Sequence, residues 1–105
     1  MADFMKILQQ AQEMQGKFSQ LQDELKQQSV TATSGGGMVT VEANGQGTVR
    51  SIKIDPSLLQ GSDVEMLEDL VLVAVTEAQK KAAEVGQREM GKLTGGLNLP
   101  FKLPF

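Results

Sequence analysis

The chain reads as an α+β fold: a long amphipathic helix, a three-stranded antiparallel meander and a second long helix. Three observations predict it. Phe4, Ile7, Ala11, Met14, Phe18, Leu21 and Leu25 recur at alternating spacings of three and four, which is the a/d seam of a helix packed lengthwise on another helix. From Ser29 to Ile54 the apolar period drops to two, the spacing of a sheet with one buried face. From Asp63 the helical period returns and continues for some thirty residues.

The first helix is predicted over residues 3–28, with Asp3 as its cap and a body rich in Gln, Lys, Glu and Leu, all good helix formers. Met5 and Leu8 widen the apolar stripe at its start, and Gly16 is its one weak interior position. Val30 and Ala32 then alternate with Thr31 and Thr33 in a first strand. Gly35-Gly36-Gly37 breaks the chain, and Val39, Val41 and Ala43 form the apolar side of a second strand. Asn44-Gly45 is a hairpin turn signal. Val49, Ile52 and Ile54 make a third strand, with a slip of phase that predicts a bulge near Arg50-Ser51. Pro56 has no N–H to give a ladder, so Asp55-Pro56-Ser57 ends the strand in a turn.

Ser62-Asp63-Val64-Glu65 matches a capping box and opens the second helix, predicted over residues 63–93. Within it Leu70 to Val75 is apolar on every side. A helix apolar all round must be buried all round. One helix and one small sheet cannot do that, so a second subunit is expected against Leu70, Val71, Leu72, Val73 and Val75. Gly95 and Gly96 end helical structure, and Pro100 and Pro104 prevent its return. The expected organisation is a single domain over residues 1–96 and a mobile or loosely docked tail over 97–105.

Composition narrows the function. The chain of 105 residues has no His, Cys, Tyr or Trp. Disulfides and thiolate metal sites are excluded, and no base–orienter constellation for nucleophilic catalysis can be assembled. No enzyme activity, cofactor or small-molecule substrate is expected. Gly35-Gly36-Gly37 is followed by no Lys-Ser/Thr, so it reads as a turn and not a phosphate cradle. Glu65, Glu68 and Asp69 read as a solvated acidic face and not a metal site. The start of the chain shows no basic-then-apolar leader and no apolar run is long enough to span a bilayer, so a cytoplasmic protein is expected.

Net charge is −3, which argues against a simple basic nucleic-acid binder. The distribution is more informative. Residues 63–79 carry five acids and no base, whereas residues 80–105 carry five bases against two acids. Glu77–Lys81 and Glu84–Arg88 stand at i,i+4, worth about 0.2–0.5 kcal/mol each as helical pairs. Lys80 and Lys92 are left over for phosphate. On the first helix, Lys6, Lys17, Lys26 and many Gln lie away from the seam.

Taken together, several stretches resemble the YbaB/EbfC family of bacterial nucleoid-associated proteins. They are Gln9-Gln10-Ala11-Gln12-Glu13-Met14-Gln15, the Gly-rich turn before Met38-Val39-Thr40-Val41, and Asn44-Gly45. The most specific run from Ile54-Asp55-Pro56-Ser57-Leu58-Leu59 to Glu65-Met66-Leu67-Glu68-Asp69-Leu70-Val71, and the ending Pro100-Phe101-Lys102-Leu103-Pro104-Phe105 is also similar. The resemblance implies a homodimer with projecting helical arms that binds duplex DNA in the nucleoid with weak sequence preference. On that reading Lys6, Lys17, Lys80, Lys81, Arg88 and Lys92 are the candidate phosphate contacts. The competing reading is a protein-interaction module that uses its exposed helices and apolar tail, with DNA incidental.

Overall fold

The computed structural model describes residues 2–61 and 63–95. Helix α1 spans Ala2–Gln27, strand β1 Ser29–Ser34, β2 Val39–Asn44, β3 Val49–Ile54 and helix α2 Val64–Gly95. Short 3-10 turns cover Gly35–Gly37 and Pro56–Leu59. The strands form one antiparallel sheet in the order β1-β2-β3. The α+β reading and the order of elements hold, with shifts of one or two residues at the helix ends. Asp3 lies within the first turn of α1 and does not precede it as a cap; there its carboxylate complements the positive end of the helix dipole. The cap of α2 is Asp63, whose Oδ1 accepts from the Met66 N–H at 3.0 Å. Ser62, the first residue of the expected capping box, lies outside the described residues, as does the 97–105 tail.

The register places Val30, Ala32 and Ser34 opposite Ala43, Val41 and Val39, and these opposite Val49, Ile52 and Ile54. That side of the sheet receives α2. The helix approaches through Ala74, Ala78 and Ala82, spaced at i,i+4,i+8 and all buried. Val39 and Val41 are completely enclosed between helix and sheet, and each contributes about 1.5–3 kcal/mol of burial free energy. Leu58, from the 3-10 turn after β3, completes the core.

The expected bulge is present. Glu42 pairs with Ser51 but Ala43 pairs with Val49, so Arg50 is the extra residue on β3. The three loop glycines have φ of +61°, +68° and +94°, a succession of left-handed residues that only glycine makes without strain. At their edge Ser34 donates from Oγ to the Leu70 carbonyl at 2.6 Å, tying β1 to α2. Asp55 accepts at Oδ1 from the Ser57 N–H at 2.9 Å. The Ser57 backbone and hydroxyl hold its carboxyl below the usual carboxylate range, so the turn is stabilised by this group at neutral pH and loses that support as pH falls through the lowered pKa.

The Asn44-Gly45 turn is longer than a two-residue hairpin. Asn44 accepts at Oδ1 from the N–H groups of Gln46 and Thr48 at 2.9 and 3.0 Å, and the left-handed residue is Gly47, at φ +88°. Gly45 serves a different purpose. Its N–H donates to the Leu25 carbonyl at 2.7 Å, so the hairpin tip abuts the end of α1. Two further donors reach the same end: Gln46 Nε2 to the Gln22 carbonyl at 3.3 Å and Arg50 Nη2 to the Lys26 carbonyl at 2.7 Å. Carbonyls in the last turn of a helix lack an i+4 partner within it; here Leu25 accepts from Gly45 as well as from the Gln28 N–H at 3.3 Å, and Lys26 accepts from Arg50. α1 is thereby anchored by its C-terminal third while the rest extends outward. The radius of gyration is 19.8 Å and the longest axis 72 Å, against about 13 Å for the radius of a compact chain of this length.

The two glycines of α1 and its joint give opposite expectations. A Cβ at Gly45 would sit 2.7 Å from the Leu25 carbonyl oxygen, whereas one at Gly16 meets nothing within 4 Å. Gly45→Ala is expected to destabilise by about 1–3 kcal/mol, and Gly16→Ala to stabilise by up to about 1 kcal/mol. Urea unfolding of the two variants checks both signs.

Candidate nucleic-acid interface

The described basic residues are spread over several separate surfaces. Lys6 and Lys17 are eleven positions apart on α1, which places them on one flank about 16 Å apart along the axis. Both are exposed. Where α1 meets α2, Lys17 and Lys92 come together in a shallow cleft of about 290 Å³ with Glu24 and Glu89 among its walls. The cleft is mixed in sign. Lys92 Nζ pairs with Glu89 Oε1 at 3.4 Å, and the Lys92 side chain remains largely open to water. In high dielectric such a pair contributes little, so Lys92 can exchange Glu89 for a phosphate at small cost.

On α2 the expected charge pattern is changed by the sheet. Among the described residues, neither Glu77–Lys81 nor Glu84–Arg88 closes as an ion pair. Lys81 instead donates from Nζ to the Thr31 carbonyl at 2.8 Å, because β1 is an edge strand with outward carbonyls to satisfy. Lys80 and Lys81 are not one patch: consecutive residues on a helix point about 100° apart. Lys81, Arg88 and Lys92, at spacings of seven and four, share a side of α2, and Lys80 lies on another. Lys26 likewise falls on the flank of α1 opposite Lys6 and Lys17.

Arg50 and Lys53 form no part of the sequence-based set. Both are exposed, and the bulge sets Arg50 against the backbone of Lys26 at the foot of α1. The slip of phase near Arg50 carried that signal, since a bulge re-aims the side chain it displaces. The open side of the sheet is otherwise polar, with Thr31, Thr33, Thr40, Glu42 and Lys53 along it.

The apolar run on α2 divides. Leu70, Val71 and Val75 pack partly against the chain's own core. Leu72 and Val73 are 64 % and 51 % exposed. Val64, Met66, Leu59 and Ile52 are uncovered as well. Among the described residues no group of three or more acids is placed to hold a metal ion, and no helix is long and apolar enough to cross a membrane.

Comparison with known proteins matches this architecture to a family. The model of the YbaB/EbfC DNA-binding family matches residues 1–97. A nucleoid-associated protein of Gemmatimonas aurantiaca is 50 % identical over 103 residues, covering 98 % of this chain and 99 % of the relative. One from Brucella ovis is 44 % identical over 107 residues and covers both chains completely. Among solved structures, the crystal structure of an uncharacterized protein from Helicobacter pylori superimposes with a TM-score of 0.79 at 31 % identity, over 87 % of this chain and 96 % of that one. With helix, meander and helix in the same order and the family's pattern matched over nearly the whole length, the chain belongs to the YbaB/EbfC DNA-binding family.

Proposed function

We propose that this protein is a nucleoid-associated protein that binds duplex DNA as a homodimer, through the polar and basic flanks of its helices and with weak sequence preference. Family membership supports DNA as the partner, and the relatives are named for the nucleoid. The observation that carries the mode of binding is the elongated shape. A single chain of 11.3 kDa extends 72 Å and displays Lys6 and Lys17 on a helix that stands away from its core.

The mechanism is phosphate contact. Lys6, Lys17 and Lys92 line the outer part of the arm, with Lys80, Lys81 and Arg88 further down α2. The Gln residues of α1 donate and accept in any orientation. Contacts of this kind position a duplex without reading its sequence. The acids at the start of α2, Asp63, Glu65, Glu68 and Asp69, lie at the opposite end of that helix from Lys92, which keeps them away from the arm. Dimerisation doubles every cation and gives the two arms a shared duplex to hold. Leu72 and Val73, uncovered in one chain, are the centre of the surface through which a second copy is taken on. A bacterial cytoplasm, at the nucleoid, is the compartment that follows from this role. Nothing in the mechanism calls for a cofactor, a metal or a small-molecule substrate.

Three outcomes follow from this proposal. Fluorescence anisotropy of a labelled random duplex is expected to show micromolar or tighter binding at about 50 mM salt and a steep loss by about 200 mM. No binding at either salt sinks the DNA reading and favours the protein-interaction alternative. Lys17→Ala is expected to weaken binding equally on two unrelated duplexes and to lower the salt slope by about one per phosphate contact removed. A loss confined to one duplex is the contrary result. Leu72→Asp with Val73→Asp is expected to convert a dimer to a monomer in sedimentation equilibrium, and a variant that still sediments as a dimer places the interface elsewhere.

A further inference from the structure

The seam of α1 is covered by α2 at one end and left open at the other. Leu21 and Leu25 are 6 % and 5 % exposed, whereas Ile7 and Phe4 are 60 % and 63 % exposed. Leu8 and Phe18 are also open. The change falls where α2 stops. Leu25 shares a cleft with Gly86 and Met90, and Leu21 shares one with Glu89 and Leu93, so the two helices run antiparallel. Gly95, the last residue of α2, arrives near the level of Phe18. From Phe18 to Phe4 the seam continues for about 21 Å with nothing from α2 to cover it.

Phe4 and Ala11 stand at a positions of the heptad, and Ile7 and Met14 at d. Asp3, Gln10 and Lys17 stand at g along one rim of the seam, and Leu8 at e on the other. Set against an antiparallel copy of itself, this stretch brings each a residue opposite a d residue. Phe4 faces Met14 of the second copy, a thioether against an aromatic ring. Ile7 faces Ala11, so the larger side chain fills the room the smaller one leaves. Along one rim Asp3 faces Lys17 of the second copy, twice over by symmetry, with Gln10 beside Gln10 between the two pairs. Along the other rim Leu8 meets Leu8 at the dyad.

Other arrangements of the same two helices fit less well. One heptad further in, Asp3 faces Glu24, and the incoming helix runs over Leu21, which is already buried. A parallel copy sets Ala11 against Ala11 and forces the Leu21–Leu25 ends together, where α2 occupies both seams. In the favoured register the first turn of the incoming helix lies at the level of Met14 to Lys17, just beyond Gly95. It takes up the line that α2 leaves off, and its core lies beyond the free end of α1.

We propose that the N-terminal halves of α1 from two copies of this chain pair antiparallel, with Asp3 of each beside Lys17 of the other. Rim charges of this kind fix orientation and register. The pairing spans about two heptads, short of the three or four that sustain a coiled coil alone. It therefore acts between chains held close by another contact and adds to the strength of that contact. It is separate from the Leu72–Val73 surface, goes beyond the DNA reading and stands whether or not DNA binds.

The chain has no cysteine, so a single introduced thiol reports its own neighbour. Gln10→Cys sets two thiols across one rim of the pair, whereas Gln9→Cys sets them at the same level on the outer face. With the full chain at submillimolar concentration and no DNA, a short bismaleimide is expected to join Gln10→Cys chains in pairs at least about fivefold more than Gln9→Cys chains. Adding Asp3→Lys turns both rim attractions into repulsions and is expected to cut the joined fraction about fivefold. Adding Lys17→Asp as well is expected to restore it. Fraying of α1 caused by the first change is not mended by a second one fourteen residues away, so restoration reads the contact between chains. Equal joining at the two positions overturns the proposal, as does a yield that Asp3→Lys leaves unchanged or that Lys17→Asp fails to restore. Absence of joining at Gln10→Cys also overturns it, and leaves the seam open or covered by its own chain.

Discussion

Close contact between α2 and the sheet, made possible by alanine, sets the terms for the rest of the molecule. Ala74, Ala78 and Ala82 have no side chain beyond Cβ, so the helix lies near enough to enclose Val39 and Val41 completely. A larger residue at any of the three would lift the helix and open the core to cavities or strain. The same stripe decides what is left uncovered. Seated over β1 and β2, one helix cannot also cover β3, and Ile52 remains open at its edge. The apolar residues on the far side of α2, Leu72 and Val73, turn away from the core that Val39 and Val41 form with it. A fold of this size buries a limited share of its surface, and here the deficit falls on α1 from Phe4 to Phe18 and on α2 from Val64 to Val73, with Ile52 and Leu59 open as well.

The second organising contact is polar. The carbonyls of Gln22, Leu25 and Lys26 take donors from Gln46, Gly45 and Arg50. Asn44, itself buried, holds the hairpin in the shape that presents those donors by accepting two backbone N–H groups. The bulge at Arg50 contributes by aiming the guanidinium at the helix end. One strand irregularity and one unusual turn thus orient a 26-residue helix whose buried apolar residues are Leu21 and Leu25 near its foot.

Much of this is written in the residue pattern. The seven-residue repeat, the period of two and the break of phase at Arg50 are local signals, and the elements and the bulge stand where those signals put them. What the pattern does not carry is distance between elements. Lys81 looks like the partner of Glu77 on a helical net, but a strand edge fifty residues away in sequence offers it a carbonyl. Gly45 reads as a turn residue, yet it is needed because a backbone carbonyl comes within 2.7 Å of where a Cβ would stand. Leu70 to Val75 looks uniformly buried, but the helix presents Leu70, Val71 and Val75 inward and Leu72 and Val73 outward. The Lys80-Lys81 doublet shows the same limit on the basic side, since neighbours in sequence diverge on a helix.

Anchoring α1 at its foot makes it a lever. From Leu21 to Phe4 is about 26 Å of helix, so a tilt of about 10° at the joint moves the far end by about 4–5 Å. That displacement is comparable with the difference between a narrow and an ordinary minor groove. The residues that set the angle of this lever are then Gly45, Gln46 and Arg50 at the fulcrum. On the proposed mode of binding, changes at the hairpin tip alone alter the duplex geometry the arm fits, with every lysine kept in place.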